Sequence, residues 1–556
     1  MEIKRQIKSN LNYSARLILK LYSTFMHKII FVHIMRLNCI ICFSRVITGC
    51  AIAFTCCCLL TFCQTIVWGQ AKPSGESPQP SASPSPQPEE TPVATKHSIR
   101  VGGKQLNYTT TVGFMPLKNR ENETEAKIFY QAYTLDNAPN KAQRPLMFSF
   151  NGGPGSASVW LHLGALGPKR VRMQDDGMMP APPYELVDNE QTWLDQTDLV
   201  FIDPVGTGYS RAAKPELNSK FFSLNGDTES VGEFIRMYLS RNERWASPLF
   251  LVGESYGTTR ASSLAGYLFE RGIAFNGILL VSTVMNFQTL EFADGNDLPY
   301  VLILPSYTAT AWYHKRLAPE LQNRPLNEVL RESERFAAND YALALSKGDL
   351  LTAAERHTIV NKYAQLTGLS KNFVDNNNLR IELGRFNKEL LRDRRRTTGR
   401  LDSRFTGIDK DAGGDTPDSD PSLTAIRPPY TAAFNNYVRG ELGFKSDLEY
   451  YILGGGVTNW NFNADNEYAN TSVRLRSAMQ KNPFMKIFVA AGYYDMATPY
   501  YAMQYTLANM NLDPLLRQNI SVSYYEAGHM MYIEKNSLRK LKDDVTVFLQ
   551  NAIKKQ

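Results

Sequence analysis

The chain has 556 residues, too many for one simple core, so a large domain with an insertion or two domains is expected. Its formal net charge of +7 is a local feature. The first 71 residues hold eight basic residues against Glu2 alone, which leaves 53 residues of each sign in the remainder. No field of one sign remains to attract nucleic acid or an anionic membrane, and both partners are set aside.

From Ile47 to Val67 the chain is mostly apolar, with Arg36 and Arg45 before it and Trp68-Gly69-Gln70-Ala71 after it. This pattern predicts a secretory signal cleaved after Ala71, and hence a secreted or periplasmic protein. Met35 would start a signal of conventional length, and the preceding 34 residues read as a misassigned upstream start. The competing reading is an uncleaved membrane anchor through 47–67. A lipid-attachment box at Ile47-Thr48-Gly49-Cys50 is the weaker option, because the longest apolar run follows Cys50. All seven cysteines lie between positions 39 and 63. The body is therefore expected to have no disulfide, no thiol nucleophile and no cysteine-ligated metal. Residues 72–96, rich in Pro, Ser and Gln, cannot bury enough apolar surface to fold and read as a tether to the envelope.

From His97 the chain turns β-rich, at 98–101, 106–112 and 126–134. The short apolar runs 144–150, 198–203, 250–252, 277–281, 486–491 and 520–525 suit buried parallel strands. Between 311 and 442 the texture changes. Segments such as 326–336 and 351–369 carry apolar residues at helical spacing, and 406–423 is a Gly, Asp, Pro and Ser-rich loop. The expected organisation is a sheet domain in two parts, 97–310 and 443–556, interrupted by a helical lid at 311–442.

Gly253-Glu254-Ser255-Tyr256-Gly257 joins the strand run 248–252 to the small-residue stretch 258–265. A serine is a poor nucleophile until a strained strand-to-helix elbow points its oxygen out of the sheet towards a base. The series of strands around this elbow predicts an α/β-hydrolase fold, with a mostly parallel central sheet. In that fold the acid and the histidine follow the serine in the chain. Downstream histidines are His314, His357 and His529. The first two fall in predicted lid helices, where solvated roles are expected; His529 stands in a loop after the strand 520–525. Asp495 follows the strand 486–491 and is the expected acid, ahead of Asp465, which has no strand before it. Ser255 attacks a carbonyl, His529 takes its proton and returns it to the leaving group, and Asp495 orients the imidazole. No metal and no cofactor is expected for this chemistry.

Four segments in this order resemble the serine carboxypeptidase family, covering nearly all of 97–556. They are Asn151-Gly152-Gly153-Pro154-Gly155-Ser156, the stretch DPVGTGYS from Asp203 to Ser210, GESYG, and Ala527-Gly528-His529-Met530. The resemblance implies an oxyanion hole from the backbone N–H groups of Gly153 and Tyr256, each worth about 2.7–4 kcal/mol. It also implies that Asn151 and Glu254 bind the C-terminal carboxylate of a peptide, with Gly152 and Met530 beside the substrate. A carboxyl that receives a carboxylate must share a proton with it. The chain departs from the family at Ala165, where many relatives place a second glutamate, and at Ser156, where the usual residue is cysteine. Arg260 could take over the terminal carboxylate as a bidentate partner; the competing reading is a structural helix charge. The implied activity is a peptidase acting on peptide C-termini. Its rivals are an esterase or acyltransferase using the same acyl-enzyme and a catalytically silent envelope-binding protein.

Overall fold

The computed structural model describes residues 91–554. The expected signal segment, the alternative anchor and the tether as far as residue 90 lie outside the described residues. One sheet of ten strands organises the body. In chain order they are β1 Val93–Val101, β2 Lys104–Lys118, β3 Thr124–Leu135, β4 Leu146–Phe150 and β5 Asp198–Ile202. There follow β6 Arg211–Ala212, β7 Leu249–Ser255, β8 Gly277–Thr283, β9 Lys486–Gly492 and β10 Ile520–Tyr525. The order across the sheet is β1-β2-β3-β5-β4-β7-β8-β9-β10, with short β6 paired to β3. The pairs among β1, β2, β3 and β5 are antiparallel. From β5 to β10 along that path every pair is parallel.

The parallel strands are apolar on both sides because both faces are covered. In β4, Met147 joins one core cluster while Leu146, Phe148 and Phe150 join the other; in β5, Leu199 and Phe201 alternate with Val200 and Ile202. Helices α1 (Leu224–Arg241) and α2 (Tyr256–Phe269) cover one face with Val231, Phe234, Leu264 and Leu268.

Next in the chain come α3 (Leu298–Tyr313), α4 (Leu326–Phe336) and α5 (Ala353–Thr367). They form a separate core around Leu304, Tyr307, Val329, Phe336, Tyr363 and Phe386. This insertion begins at Leu298, earlier than the predicted 311. It also ends earlier: α6 (Pro421–Asn436), placed by the sequence in the lid, packs Ile426, Tyr430 and Phe434 into the sheet's own core. The last helix, α7 (Lys535–Ile553), joins the same core through Leu541, Val545 and Phe548. At the other end of the sheet, β1 starts inside the predicted tether. Val93 to Lys96 are drawn into the sheet by pairing with Val112 to Thr109.

β4 is central. The chain leaves it for β5 on one side and returns to β7 on the other, so the loops after β4 and β7 meet at the carboxyl ends of adjacent parallel strands. Open α/β sheets bind their ligands at such a switch point.

Candidate active site

Ser255 ends β7 and precedes α2, with φ 60° and ψ −131°. That conformation costs a non-glycine residue on the order of 1–3 kcal/mol and persists only where the surroundings enforce it. Ser255 is paired with Thr283 of β8, and Thr258 Oγ1 donates to the Ser255 carbonyl at 2.7 Å. The first amides of α2 have no carbonyl of their own helix to bond. Gly152 runs directly against them: a Cβ there would lie 2.4 Å from the Tyr256 nitrogen and 2.7 Å from the Gly257 nitrogen. Only glycine lets the Gly152-Gly153 backbone approach the Tyr256 amide, as the implied oxyanion hole requires. The loop after β5 braces this segment, since Asp203 Oδ1 accepts from Ser158 N at 2.8 Å and from Ser158 Oγ at 2.7 Å.

Asp495 and His529 come from the loops after β9 and β10. His529 Nδ1 and Asp495 Oδ2 are 2.7 Å apart, and both residues are buried. Asp495 Oδ1 accepts from the amides of Ala497 (2.8 Å) and Thr498 (2.9 Å), and Thr498 Oγ1 donates to Oδ2 at 2.7 Å. A carboxylate surrounded by donors is acceptor-only, so Nδ1 carries the imidazole proton and Nε2 is left as the free base. Ser282 Oγ donates to the His529 carbonyl at 2.6 Å. Ser282 precedes Thr283, the strand partner of Ser255, so the His529 loop is fastened beside Ser255. Burial works to lower the His529 pKa. The charge and hydrogen bond of Asp495, helped by the charge of Glu254, outweigh it and hold the pKa above the ordinary value.

Glu254 is buried, and burial pushes its carboxyl up to about 7, with a smaller push from Asp495. His529, Tyr532 and Asn151 act in the opposite direction. Tyr532 Oη donates to Glu254 Oε2. This tyrosine was missed in the sequence. Ala165 is buried in the turn 162–166, its carbonyl bonded by Asn189 Nδ2 at 2.7 Å. A Cβ on neighbouring Gly164 would lie 2.4 Å from the Tyr532 ring. The Tyr532 ring thus packs against this turn, and its hydroxyl partners Glu254. Because this hydrogen bond favours ionised Glu254, Tyr532→Phe should raise the Glu254 pKa further. Potentiometric or NMR titration of the variant should then find that carboxyl protonated to higher pH than in the wild type.

Asn151 Oδ1 accepts from the Leu161 amide at 3.1 Å. Its buried Nδ2 has no partner at full hydrogen-bond geometry, but it stands close enough to the Glu254 carboxyl to favour the ionised form. A free amide donor beside a protonated carboxyl is suited to an incoming carboxylate.

Other predicted positions are placed differently. Arg260 is 1% exposed; its Nε donates to Asp227 Oδ2 and its Nη1 to the Asn151 carbonyl, both at 2.7 Å. These bonds tie Arg260 to Asp227 of α1 and to the Asn151 loop, as the structural reading expects. Met530 packs into the sheet's core. His314, expected to be solvated, is buried with Nε2 2.7 Å from the Ser403 carbonyl. His357 is exposed on α5, and Asp465 is exposed in a loop. Among the described residues no cluster of three or more His, Cys, Asp or Glu side chains could hold a metal ion. An open cleft of about 1120 Å³, lined in part by Tyr494, Glu526 and Arg404, lies behind the acid and histidine loops and includes neither Ser255 nor His529.

The sequence model described as serine carboxypeptidase matches residues 102–536. The chain is similar to Serine carboxypeptidase-like 5 of Arabidopsis thaliana, 30% identical over 137 residues, which make up 24% of this chain and 30% of that protein. Serine carboxypeptidase-like 1 of the same plant is 27% identical over 155 residues, 27% of this chain and 33% of the relative. The aligned stretches thus span about a third of these relatives' length. A solved prohormone-processing carboxypeptidase from Saccharomyces cerevisiae is similar over 80% of this chain and 91% of its own, at 16% identity and a TM-score of 0.47. The family model runs from the turn after β1 into the first turn of α7 and takes in all four motif loops, and the chain belongs to the serine carboxypeptidase family.

Proposed function

We propose that this protein is an exported serine carboxypeptidase that releases residues from the C-termini of peptides. Ser255 Oγ attacks the last peptide carbonyl while His529 Nε2 takes its proton, and the oxyanion is received by the N–H groups of Gly153 and Tyr256. His529 then protonates the leaving amine, and water, activated by the same nitrogen, releases the acyl group from Ser255. Asn151 and protonated Glu254 hold the terminal carboxylate of the departing residue. The observation that carries this reading is Glu254 itself. It stands next to the nucleophile in the chain, is buried, and keeps a shareable proton up to a pH of about 7. Export is supported by the apolar segment 47–67 and its cleavage pattern.

A fluorophosphonate should label the wild-type protein at Ser255 and leave Ser255→Ala unlabelled. Absence of labelling, or labelling at another serine, would remove Ser255 from the mechanism.

The pH dependence has a definite sign. Below about 7 Glu254 is protonated and donates to the peptide carboxylate; above it the ionised form repels that carboxylate. KM for peptides with a free C-terminus should therefore rise as pH passes through about 7, while KM for ester substrates should not. Glu254→Gln, which keeps a donor at every pH, should flatten this rise. Glu254 and His529 act on each other's charge, so the profile will report macroscopic steps of the pair.

A further inference from the structure

The segment between Thr397 and Gly407 enters the active site from behind. Thr397-Thr398 and Thr406-Gly407 pair as a short antiparallel ladder, and residues 399–405 form its tip. This tip is wedged between the loops that carry Asp495 and His529. On the acid side, Ser403 N donates to the Tyr494 carbonyl at 3.0 Å and Met496 N donates to the Arg400 carbonyl at 3.1 Å. The residues on either side of Asp495 are therefore both tied to the tip. On the base side, His529 N donates to the Leu401 carbonyl at 2.7 Å and Gly528 N donates to Asp402 Oδ2 at 3.1 Å. A Cβ on Gly528 would lie 2.4 Å from Asp402 Cβ, so the two chains are in direct contact.

Two buried charges hold the tip in shape. Arg404 Nη2 donates to Asp402 Oδ2 at 2.6 Å and its Nε to Asp402 Oδ1 at 3.0 Å, while Nη1 reaches the Glu526 carbonyl at 3.2 Å. From the helical insertion, Thr310 Oγ1 of α3 lies 2.6 Å from Ser403 Oγ, and His314 bonds the Ser403 carbonyl. None of these bonds involves Ser255.

We propose that the tip 399–405 is a clasp that sets the spacing of Asp495 and His529, with Asp402 and Arg404 as its positioning residues. The proposal rests on the triad reading given above. A buried ion pair contributes little to stability when compared with well-packed apolar residues, whereas breaking it leaves a charge uncompensated. Its use here is geometric: Tyr493 N and Tyr494 N bond the two loops directly through the Tyr525 and Ala527 carbonyls, at 3.0 and 3.1 Å, and past these bonds the clasp ties both flanks of Asp495 and the His529 amide. The charged groups facing His529 are Asp495, Glu254 and Arg400. Asp495 is tied to the clasp through both of its chain neighbours, and Arg400, whose charge works to lower the His529 pKa, belongs to the clasp itself.

Three variants test the clasp: Arg404→Met, Arg404→Lys, and the double variant Asp402→Asn with Arg404→Met, which buries no unpaired charge and carries the test if the single variant does not fold. Two readouts are needed: turnover of a blocked dipeptide with its pH profile, and NMR titration of the His529 imidazole. A loosened clasp should lower kcat by roughly 10- to 100-fold through misplacement of the base, with KM changed less than about twofold. Weaker contact with Asp495 should also lower the His529 pKa by roughly 0.5–1 unit, a fraction of what an adjacent opposite charge contributes. The acid limb of kcat would move to lower pH by the same amount, and Arg404→Lys should recover part of both effects. A lower Tm with kcat, acid limb and imidazole titration all unchanged would overturn the clasp and leave a merely structural ion pair. The imidazole titration decides this even if wild-type turnover fails, an outcome that would count against the carboxypeptidase reading instead.

Discussion

Ser255→Ala should lower kcat by on the order of 10⁶ while leaving the fold intact, the loss measured when a triad nucleophile is removed. The elbow explains why no neighbouring group can substitute. Ser255 is held at φ 60° by strand pairing to Thr283 on one side and by the first turn of α2 on the other. This directs one side chain into the switch point. Alanine keeps the Cβ and tolerates the same backbone as poorly as serine does, so the structural change is confined to one oxygen. Circular dichroism and Tm should match the wild type, and residual turnover should reflect only substrate binding and the oxyanion site. Full turnover in the folded variant would contradict the assignment.

Asp495→Asn should cost about 10⁴ in kcat, again with the fold retained. The asparagine carbonyl oxygen can still accept from Ala497 N and Thr498 N, as Oδ1 does now. Its NH₂ group then replaces Oδ2 opposite His529 Nδ1. A donor in that position requires Nδ1 to accept, which moves the imidazole proton to Nε2 and removes the base that Ser255 needs. The pKa of His529 should fall at the same time, because the charge that raises it is gone while the burial that lowers it remains. Imidazole NMR on the variant should show both changes, the altered tautomer and the lower pKa.

Much of the site was legible in the sequence because its parts are local. Each parallel strand is a short apolar run, and GESYG sits where one such run meets small residues at helical positions. Asp495 and His529 stood out because each follows a strand within a few residues. The parts that were missed depend on distant pairing or on patterns without a period. Val93 to Lys96 look like a continuation of the tether until Thr109 to Val112 are placed opposite them. Helix α3 is buried on all sides and contains Pro305, so it shows no polar face by which to mark its start. Tyr532 lies three residues beyond His529, and nothing in its neighbours indicates that its hydroxyl meets Glu254. For Arg260 the sequence left a substrate role and a structural one both open, because its partner Asp227, 33 residues earlier, could not be recognised without α1 packed beside α2. The clasp at 399–405 falls inside the segment read as a helical lid, just before the loop read at 406–423, and no motif marks it.

The central claim is that the protein removes residues from free peptide C-termini with Ser255. Mass spectrometry of matched peptide sets, one with free and one with amidated C-termini, incubated with the purified protein, tests it most directly. The account predicts stepwise shortening of the free-acid peptides from the C-terminus, much slower attack on the amidated set, and no shortening by Ser255→Ala. Internal cleavage, equal attack on both sets, or turnover of esters with no peptide shortened would contradict it.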